Sequence, residues 1–397
     1  MTTKDIDLYR FSDEIVDVVD RKDGSRAALA VDGSLVPAPC LTLLWEPPRH
    51  AEVEKYFSMP VGKMFAKVRD ALASYSEQWT PDYYDLFATW IFLTYVHRWF
   101  PYSPQITLSS EQERGKSRAG HPMIHASFRG FVTTTANEAY LFRLGETGFS
   151  LCMDVVDIME RVRRQGSMDM MSSRFQQGVK TPRVNRPEDG SLGGIDVFES
   201  YGPTIMLTNK PVEGRWESRG FLITPPLSDR LFDDPPKEEE MLPIREMLTA
   251  WRWRMLRERP TLPAIQGLES GRFRDITKPL RQVAAMISPE PGHVDKALQH
   301  IYTARQASRA TSDEANVLAA IEASRHEGGY IFTGDIRAQY FALTDWQPSP
   351  KWIGQKVASF GFELELKGPS RLRAIRHNPL LLSSLLRKYG REEERGK

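Results

Sequence analysis

Apolar residues along the chain occur in two patterns. Short continuous apolar runs, each bounded by polar or turn residues, predict buried strands at residues 106–108, 148–156, 204–209 and 220–226. Elsewhere apolar residues recur at helical spacing, as Val61, Phe65, Val68 and Leu72 do. The segment that follows Pro81 is apolar on nearly every helix face, which predicts a buried helix. The middle of the chain is therefore expected to combine buried strands with helices.

The two ends of the chain carry further patterns. Near the start, Asp32-Gly33 lies between two apolar runs and predicts a hairpin. Near the end, helices predicted to begin at Thr333 and Ser349 precede two short strand-like runs at residues 361–377. Two helices followed by a two-stranded wing predict a winged helix, which places its second helix in a major groove of DNA. An acidic stretch with prolines, residues 227–240, is interpreted as an exposed connector.

Composition narrows the possible classes. The chain has 397 residues, with 53 Lys and Arg against 52 Asp and Glu, so its net charge is +1. Any contact with nucleic acid must therefore come from local basic patches. Cys40 and Cys152 are the two cysteines, which excludes a disulfide scaffold and a cysteine-based zinc cluster. Because the first residues are polar and no apolar run is long enough to span a bilayer, we expect no signal peptide, no membrane partner and a cytoplasmic location.

Gly115, Lys116 and Ser117 form the sharpest chemical motif, shortly after a predicted strand. A phosphate-binding loop needs backbone N–H groups that surround oxygens, a lysine for the β- and γ-phosphates and a hydroxyl for Mg²⁺. The full pattern has another glycine five residues before Gly115, where this chain has Ser110. The motif predicts a nucleotide site. For the three residues alone, the alternative is a surface turn with a solvated lysine.

Four further polar residues lie at the ends of predicted elements. Asp154 ends the run SLCMD, a position suited to a carboxylate that organises Mg²⁺, although a helix cap is the more general role. Asn209 ends TIMLTN and is alternatively a turn residue. Arg219 directly precedes a predicted strand, and Arg272 opens a helical segment; their alternatives are a surface ion pair and an ordinary helix start.

Taken in this order, residues 84–285 resemble the AAA+ type P-loop ATPases that occur as helicase-like replication proteins of plasmids, phages and integrated elements. The resemblance lies in the segments QITLSSEQERGKS, GFSLCMDVVD, GPTIMLTNK, ESRGFLITPP and GRFRDITKPL, and it covers about half of the chain. It implies an α/β fold with a P-loop parallel-sheet core and a helical lid. It also implies that Gly115, Lys116 and Ser117 bind ATP, Ser117 and Asp154 hold Mg²⁺, Asn209 positions water, Arg219 acts on a neighbouring subunit's nucleotide and Arg272 contacts the γ-phosphate from the lid.

Two positions depart from the family pattern. Ser110 replaces the first glycine of the loop, and Val155 follows Asp154 where the family has a glutamate that polarises the attacking water. Asp157 is the nearest replacement acid. Because loss of a general base lowers a rate by about 10²–10⁴-fold, we expect weak hydrolysis or nucleotide binding without turnover.

Histidines give little further signal. His121 and His125 have the i,i+4 spacing of metal ligands on a helix, but no glutamate lies between them in the metalloprotease pattern and Pro122 is at the helix start. We therefore give metal ligation there little weight.

Basic residues in two regions are candidate DNA contacts. Residues 174–186 lie between the Asp154 and Asn209 strands, where related helicases carry a hairpin that lines a central pore; the alternative is a solvated loop. In the predicted winged helix, basic residues would reach phosphate or groove, and the alternative is a winged helix used for protein contact. The candidates are Lys180, Arg183 and Arg186 in the first region and Lys351, Lys356, Arg371, Arg373 and Arg376 in the second.

These predictions define a chain of four parts. They are an N-terminal α+β module at residues 1–78, an AAA+-like ATPase core at 79–235, a helical lid at 236–310 and a winged-helix DNA-binding domain at 311–397. The predicted function is nucleotide-dependent, helicase-like action on DNA in replication of a mobile genetic element, as a homo-oligomer such as a hexameric ring. The alternatives are a non-hydrolysing AAA+-like DNA-binding adaptor or regulatory subunit, favoured by Ser110 and Val155, and a module for protein interaction alone.

Overall fold

The structure is a computed structural model whose contacts divide the chain into two units, residues 1–298 and 299–397. It describes residues 14–38, 43–135, 147–155, 157, 160, 173–184, 194–210, 216–232, 234, 236–266, 271–288 and 290–390. Within this part of the chain, no helix is both long and apolar enough to cross a membrane.

The first unit contains three sheets and six complete helices in its described residues. Its strands are β1 (Ile15–Asp20), β2 (Arg26–Ala30), β3 (Leu35–Pro37), β4 (Gln105–Ser109), β5 (Gly130–Thr133), β6 (Ser150–Asp154), β7 (Lys180–Val184), β8 (Ile195–Glu199), β9 (Thr204–Thr208) and β10 (Gly220–Ile223). Its helices are α1 (His50–Tyr56), α2 (Val61–Tyr75), α3 (Asp82–Val96), α4 (Lys116–Ala126), α5 (Glu238–Glu258) and α6 (Arg272–Ile287). Helix α7 (Asp295–Ala310) begins in this unit and ends in the next.

A five-stranded parallel sheet forms the centre of the first unit. Its strands lie in the order β10-β4-β9-β6-β5, so β4 is flanked by the two strands of this sheet that come last in sequence. All four apolar runs predicted as strands are strands of this sheet. Parallel strands are buried on both faces, which explains why they read as continuous apolar runs. The α/β prediction and the parallel sheet are therefore confirmed.

Helix α3 is the buried helix that its pattern predicted. Trp90, Ile91 and Phe92 are fully buried, and the Trp90 indole N–H donates to the Pro104 carbonyl just before β4. Helix α4 lies close to β9, since a Cβ added to Gly120 would approach the Leu207 side chain to 2.6 Å. These contacts fix the position of α4 against the carboxyl half of the sheet.

The N-terminal strands belong to the same unit as α5. They form the predicted hairpin and a third strand, with β2 between β1 and β3 and Gly33 at φ 92° in the turn. Val16 and Leu29 share one apolar cluster with Trp253 of α5, whose indole N–H donates to the Val31 carbonyl. The structure therefore joins residues predicted as a separate module with a helix predicted as part of a lid.

The second unit is a small helical domain with a three-stranded antiparallel sheet. It contains α8 (Asp313–Ala323), β11 (Tyr330–Phe332), α9 (Thr333–Thr344), α10 (Pro350–Ser359), β12 (Leu364–Lys367), β13 (Leu372–Arg376) and α11 (Pro379–Lys388). The strand order is β11-β13-β12. Helix α10 begins at Ser349, whose hydroxyl caps the Trp352 N–H. Two helices followed by a β-hairpin is the arrangement that the sequence pattern predicted.

Candidate functional site

Three neighbouring strands of the parallel sheet end beside one loop. Strand β4 ends at Ser109, β6 at Asp154 and β9 at Thr208, and Asp154 pairs in register with Leu207. Because parallel strands have their carboxyl ends at the same edge, their last residues meet there. The crevice at this edge is where open α/β sheets bind ligands.

The loop at residues 110–115 connects β4 to α4. Gly115 lies at φ 72°, in the left-handed region, and begins the helix without a side-chain cap. Glu113 also lies in the left-handed region, at φ 64°, which costs a side-chain-bearing residue about 1–2 kcal/mol. The first turn of α4 therefore presents backbone N–H groups to the cleft, as an anion-binding helix start does.

Lys116 folds back over its own loop. Its Nζ donates to the Ser110 carbonyl at 2.8 Å, to the Ser110 hydroxyl at 3.2 Å and to the Glu111 carbonyl. Partial burial lowers the pKa of Lys116. Ser110, the residue that departs from the glycine pattern, is therefore a direct partner of the lysine rather than a break in the loop.

Asp154 receives two hydrogen bonds from α4. The Ser117 hydroxyl donates to Asp154 Oδ2 at 3.0 Å, and His121 Nε2 lies 3.0 Å from the same oxygen. The hydrogen bonds from His121 and Ser117 hold the pKa of the Asp154 carboxyl below its usual value. Burial raises this pKa, but by less than the hydrogen bond from His121 lowers it. The carboxylate is therefore ionised at neutral pH.

A cleft of about 400 Å³ is lined by Lys116, Ser117 and Asp154 but not by His121. That volume lies in the ordinary range of ligand pockets, about 300–1,000 Å³. Four basic side chains and three acidic ones line it, together with polar and apolar residues. The lining includes Lys116, Arg114, Arg118, Arg230, Glu77, Glu113, Asp154, Ser117, Asn209, Ser228, Pro226 and Phe232. The cleft thus combines four basic side chains with a carboxylate beside a hydroxyl, which suits a phosphorylated ligand with a bound cation.

The donor atoms at the base of the cleft fit Mg²⁺. This cation prefers oxygen ligands and is usually held by one or two carboxylates with waters and substrate phosphates. Asp154 supplies an ionised carboxylate and Ser117 a hydroxyl, and α4 and β6 hold the two 3.0 Å apart. A loop that ends in Gly-Lys-Ser between a strand and a helix is also the phosphate-binding unit of P-loop folds.

Two other predicted residues lie near this edge of the sheet with different surroundings. Asn209 follows β9 and lines the cleft, as expected for a residue that faces a bound ligand. Asp157 is bound by Lys210, which lowers the pKa of the aspartate, and it also accepts from the Glu160 N–H. Asp157 is not among the residues that line the cleft. Its role as a replacement general base therefore finds no support in the geometry.

Arg219 and Arg272 lie at the opposite edge of the sheet. Arg219 precedes β10, whose first residue pairs with Gln105 at the amino end of β4. Arg272 lies over the rings of Phe175 and Tyr102, and Arg219 also lies over Phe175. At about 3.3 Å per residue, the five residues of β4 separate the two edges by roughly 16 Å. In this structure Arg272 therefore lies with Arg219, and its contact with a γ-phosphate stays a prediction.

The basic candidates for DNA contact fall into three groups. Lys180 is exposed on β7, which pairs with β8 as a two-stranded hairpin. Arg183 also lies on β7, but its side chain and the whole of Arg186 lie outside the described residues. Of the candidates in the second unit, Lys351, Arg371, Arg373 and Arg376 are exposed. Lys356 instead forms an ion pair with Glu314, so in this structure it is occupied within its own unit.

Part of the cleft comes from a segment with no predicted role in the site. Ser228, Arg230 and Phe232 line it, although their segment was interpreted as an exposed connector. The Arg230 guanidinium lies 4.6 Å from the centre of the Phe232 ring. The signal available in the sequence was a basic residue, Arg230, two positions before an aromatic residue, Phe232, within an otherwise acidic stretch. The contact of His121 with Asp154 was also not predicted, because the two residues are distant in sequence.

Comparisons with known proteins identify no family for this chain. No protein-family model matches it, and no curated protein does. Among solved structures, the chain is similar to the NrS-1 C-terminal region, at 10% identity, over 87% of this chain and 81% of that one, with a TM-score of 0.37. It is similar to the active helicase Cch of SCCmec type IV at 9% identity, over 84% and 71%, with a TM-score of 0.32. It is similar to the Aeropyrum pernix ORC1 protein in complex with DNA at 14% identity, over 76% and 91%, with a TM-score of 0.21. At these values no activity is transferred from those proteins, and the fold assignment rests on the strand order and loop of this chain.

Proposed function

We propose that the first unit binds ATP with Mg²⁺ in the cleft, and that the chain is an AAA+-like, helicase-like protein that acts on DNA in replication of a mobile genetic element. One observation carries the nucleotide site. The hydroxyl of Ser117 and the carboxylate of Asp154 come from distant parts of the sequence and meet 3.0 Å apart at the start of the helix that carries Lys116. That arrangement suits the cation and phosphates of a nucleoside triphosphate.

Binding requires a rearrangement of Lys116. Its ammonium group now contacts two backbone carbonyls and one hydroxyl of its own loop. A triphosphate in the cleft offers stronger, charged acceptors, so the lysine exchanges these partners for phosphate oxygens. The N–H groups at the start of α4 bind phosphate at the same time. The cation, when bound at Ser117 and Asp154, neutralises phosphate charge.

The other half of the site comes from a neighbouring copy in this proposal. Arg219 and Arg272 share the ring of Phe175 and lie roughly 16 Å from the cleft edge of their own sheet. A ring or filament in which this edge faces the next subunit's cleft brings both guanidinium groups to that subunit's nucleotide. Arginine supplied in trans stabilises charge on a transferred phosphoryl group. The chain therefore acts as a homo-oligomer.

A non-hydrolysing scaffold is the second candidate. Val155 is buried where a glutamate would polarise water, and Asp157 is bound by Lys210. Both observations favour nucleotide binding without turnover. In that case the chain is a DNA-binding adaptor whose nucleotide stabilises assembly rather than driving movement.

The second unit is proposed to be a winged helix that binds DNA. Helix α10 would lie in the major groove and the β12–β13 hairpin would contact phosphate. Lys351, Arg371, Arg373 and Arg376 are exposed on these elements. The β7–β8 hairpin of the first unit, with Lys180, Arg183 and Arg186, is proposed to contact a DNA strand. Phosphate contacts of this kind make affinity fall steeply with salt.

Turnover of ATP without DNA, with single-stranded DNA and with forked DNA tests the proposal. A motor hydrolyses ATP and is stimulated by DNA, whereas a scaffold binds nucleotide and does not hydrolyse it. Lys116→Ala weakens nucleotide binding and lowers turnover in the motor case, and Lys67→Ala, an exposed lysine on α2, is the matched control. Equal binding and turnover by Lys116→Ala and the parent chain would remove the nucleotide site from the account.

A further inference from the structure

Two side-chain atoms contact one oxygen of Asp154, a residue that lines the cleft. Ser117 Oγ and His121 Nε2 each lie 3.0 Å from Asp154 Oδ2. Ser117 and His121 are four residues apart on α4 and therefore lie on the same helix face. The His121 side chain is 25% exposed and that of Asp154 is 33% exposed, so solvent ions reach both.

The spacing of these atoms matches the ligand shell of an octahedral cation. With metal–ligand bonds of about 2.1 Å, two neighbouring ligand atoms are about 3.0 Å apart. Both distances to Asp154 Oδ2 have this value. The hydroxyl and the imidazole, which now contact the carboxylate at hydrogen-bond distance, therefore lie no farther from its oxygen than two ligands of one cation do.

We propose that His121 is a third ligand of the cation in the cleft, and that the site therefore prefers a first-row transition-metal dication such as Mn²⁺ over Mg²⁺. The inference rests on the proposed function, since the same site holds the cation of the nucleotide. Magnesium is bound mainly by oxygen, whereas imidazole nitrogen favours transition metals. In the metal-bound chain, His121 is neutral with its proton on Nδ1, and Nε2 supplies the lone pair.

His125 is the other nearby imidazole and does not fit this role. Its ring centre lies 6.1 Å from that of His121, and burial lowers its pKa to about 4. It has no contact with Asp154 among the hydrogen bonds of the described residues, whereas His121 has one. His125→Gln is therefore the matched control for His121→Gln.

Pulsed electron paramagnetic resonance of Mn²⁺ bound to the full chain with a non-hydrolysable ATP analogue tests the proposal. The wild-type spectrum is expected to show coupling to ³¹P of the nucleotide and to ¹⁴N of an imidazole. In His121→Gln the nitrogen coupling disappears while the phosphorus coupling remains, and in His125→Gln both remain. Mn²⁺ affinity falls about tenfold or more in His121→Gln, within the range for loss of groups that tune a metal site, and Mg²⁺ affinity changes less than Mn²⁺ affinity. His121→Asp, which restores an oxygen ligand, shifts the preference back towards Mg²⁺.

Three results would overturn a part of the account. Phosphorus coupling without nitrogen coupling in the wild type removes His121 from the site and leaves nucleotide binding intact. Nitrogen coupling that depends on His121, without phosphorus coupling, supports the metal ligand and removes the nucleotide. Neither coupling removes both, and thermal melting of each variant establishes that the chain is folded.

Discussion

Arg174 is the side chain whose loss the structure predicts to be most costly at the amino edge of the sheet. It is fully buried and donates to the carbonyls of Phe149, Ser200 and Pro203 and to the hydroxyl of Thr204. Its guanidinium also lies 4.3 Å from the centre of the Phe149 ring. It therefore ties β6 and β9 together just before the segment that supports Arg219 and Arg272.

Arg174→Met keeps most of the side-chain volume and removes the donors. Hydrogen bonds from a charged donor contribute about 1.5–3 kcal/mol each, so four of them contribute about 6–12 kcal/mol. Desolvation of the buried cation opposes this by several kcal/mol. We expect a net loss of about 3–5 kcal/mol in the free energy of unfolding, or roughly 6–10 °C in Tm for a unit of this size.

Chemical and thermal denaturation of the full chain measure this loss. Arg257→Ala, an exposed arginine on α5, is the control and changes stability by less than about 0.5 kcal/mol. A loss below about 1 kcal/mol for Arg174→Met would show that the buried hydrogen bonds do not outweigh desolvation, and the reasoning would be wrong.

Three further predictions concern the first unit. Mixed assemblies of Lys116→Ala and Arg272→Ala chains recover ATP turnover that neither variant has alone, because one chain supplies the lysine and the other the arginine; absence of recovery contradicts action in trans. Burial lowers the pKa of His125 to about 4, so the folded chain binds fewer protons than the unfolded chain below about pH 6.5. The free energy of unfolding therefore falls by up to about 3 kcal/mol as pH falls from about 6.5 towards 4. His125→Gln flattens this part of the pH dependence, which denaturation measures. Gly120→Ala places a Cβ 2.6 Å from the Leu207 side chain and lowers stability by about 1–3 kcal/mol, whereas an unchanged Tm would mean that Leu207 repacks without cost.

Much of the central sheet could be predicted from local sequence. Buried parallel strands are short apolar runs, and the runs that end at Asp154 and Asn209 coincide with β6 and β9. That Ser117 and Asp154 would share a cation was implied only by the resemblance to P-loop ATPases, and the structure brings the two side chains within 3.0 Å. What no local pattern contains is the sheet order, which places β10 beside β4, and the parallel direction of β10, which places Arg219 at the amino end of the strands.

Other parts of the site depend on contacts between distant residues. Phe232 and Arg230 looked like part of an acidic connector, because their approach to the loop at residues 110–115 is a tertiary contact. The N-terminal strands were predicted as a separate module, but Trp253 of α5 belongs to the same apolar cluster as these strands. Lys356 looked like a free DNA contact, since its partner Glu314 is on another helix. Each of these contacts joins segments that are distant in sequence, so no pattern within one segment contains it.

Equilibrium binding of a fluorescent ATP analogue with Mg²⁺ tests the central claim most directly, that the cleft beside Lys116 holds a triphosphate. Lost charge-assisted hydrogen bonds of about 1.5–3 kcal/mol predict that Lys116→Ala weakens binding by about 10-fold to 150-fold, while Lys67→Ala leaves Kd unchanged. A parent chain that does not bind the analogue, or a Lys116→Ala chain that binds it equally well, would contradict the account.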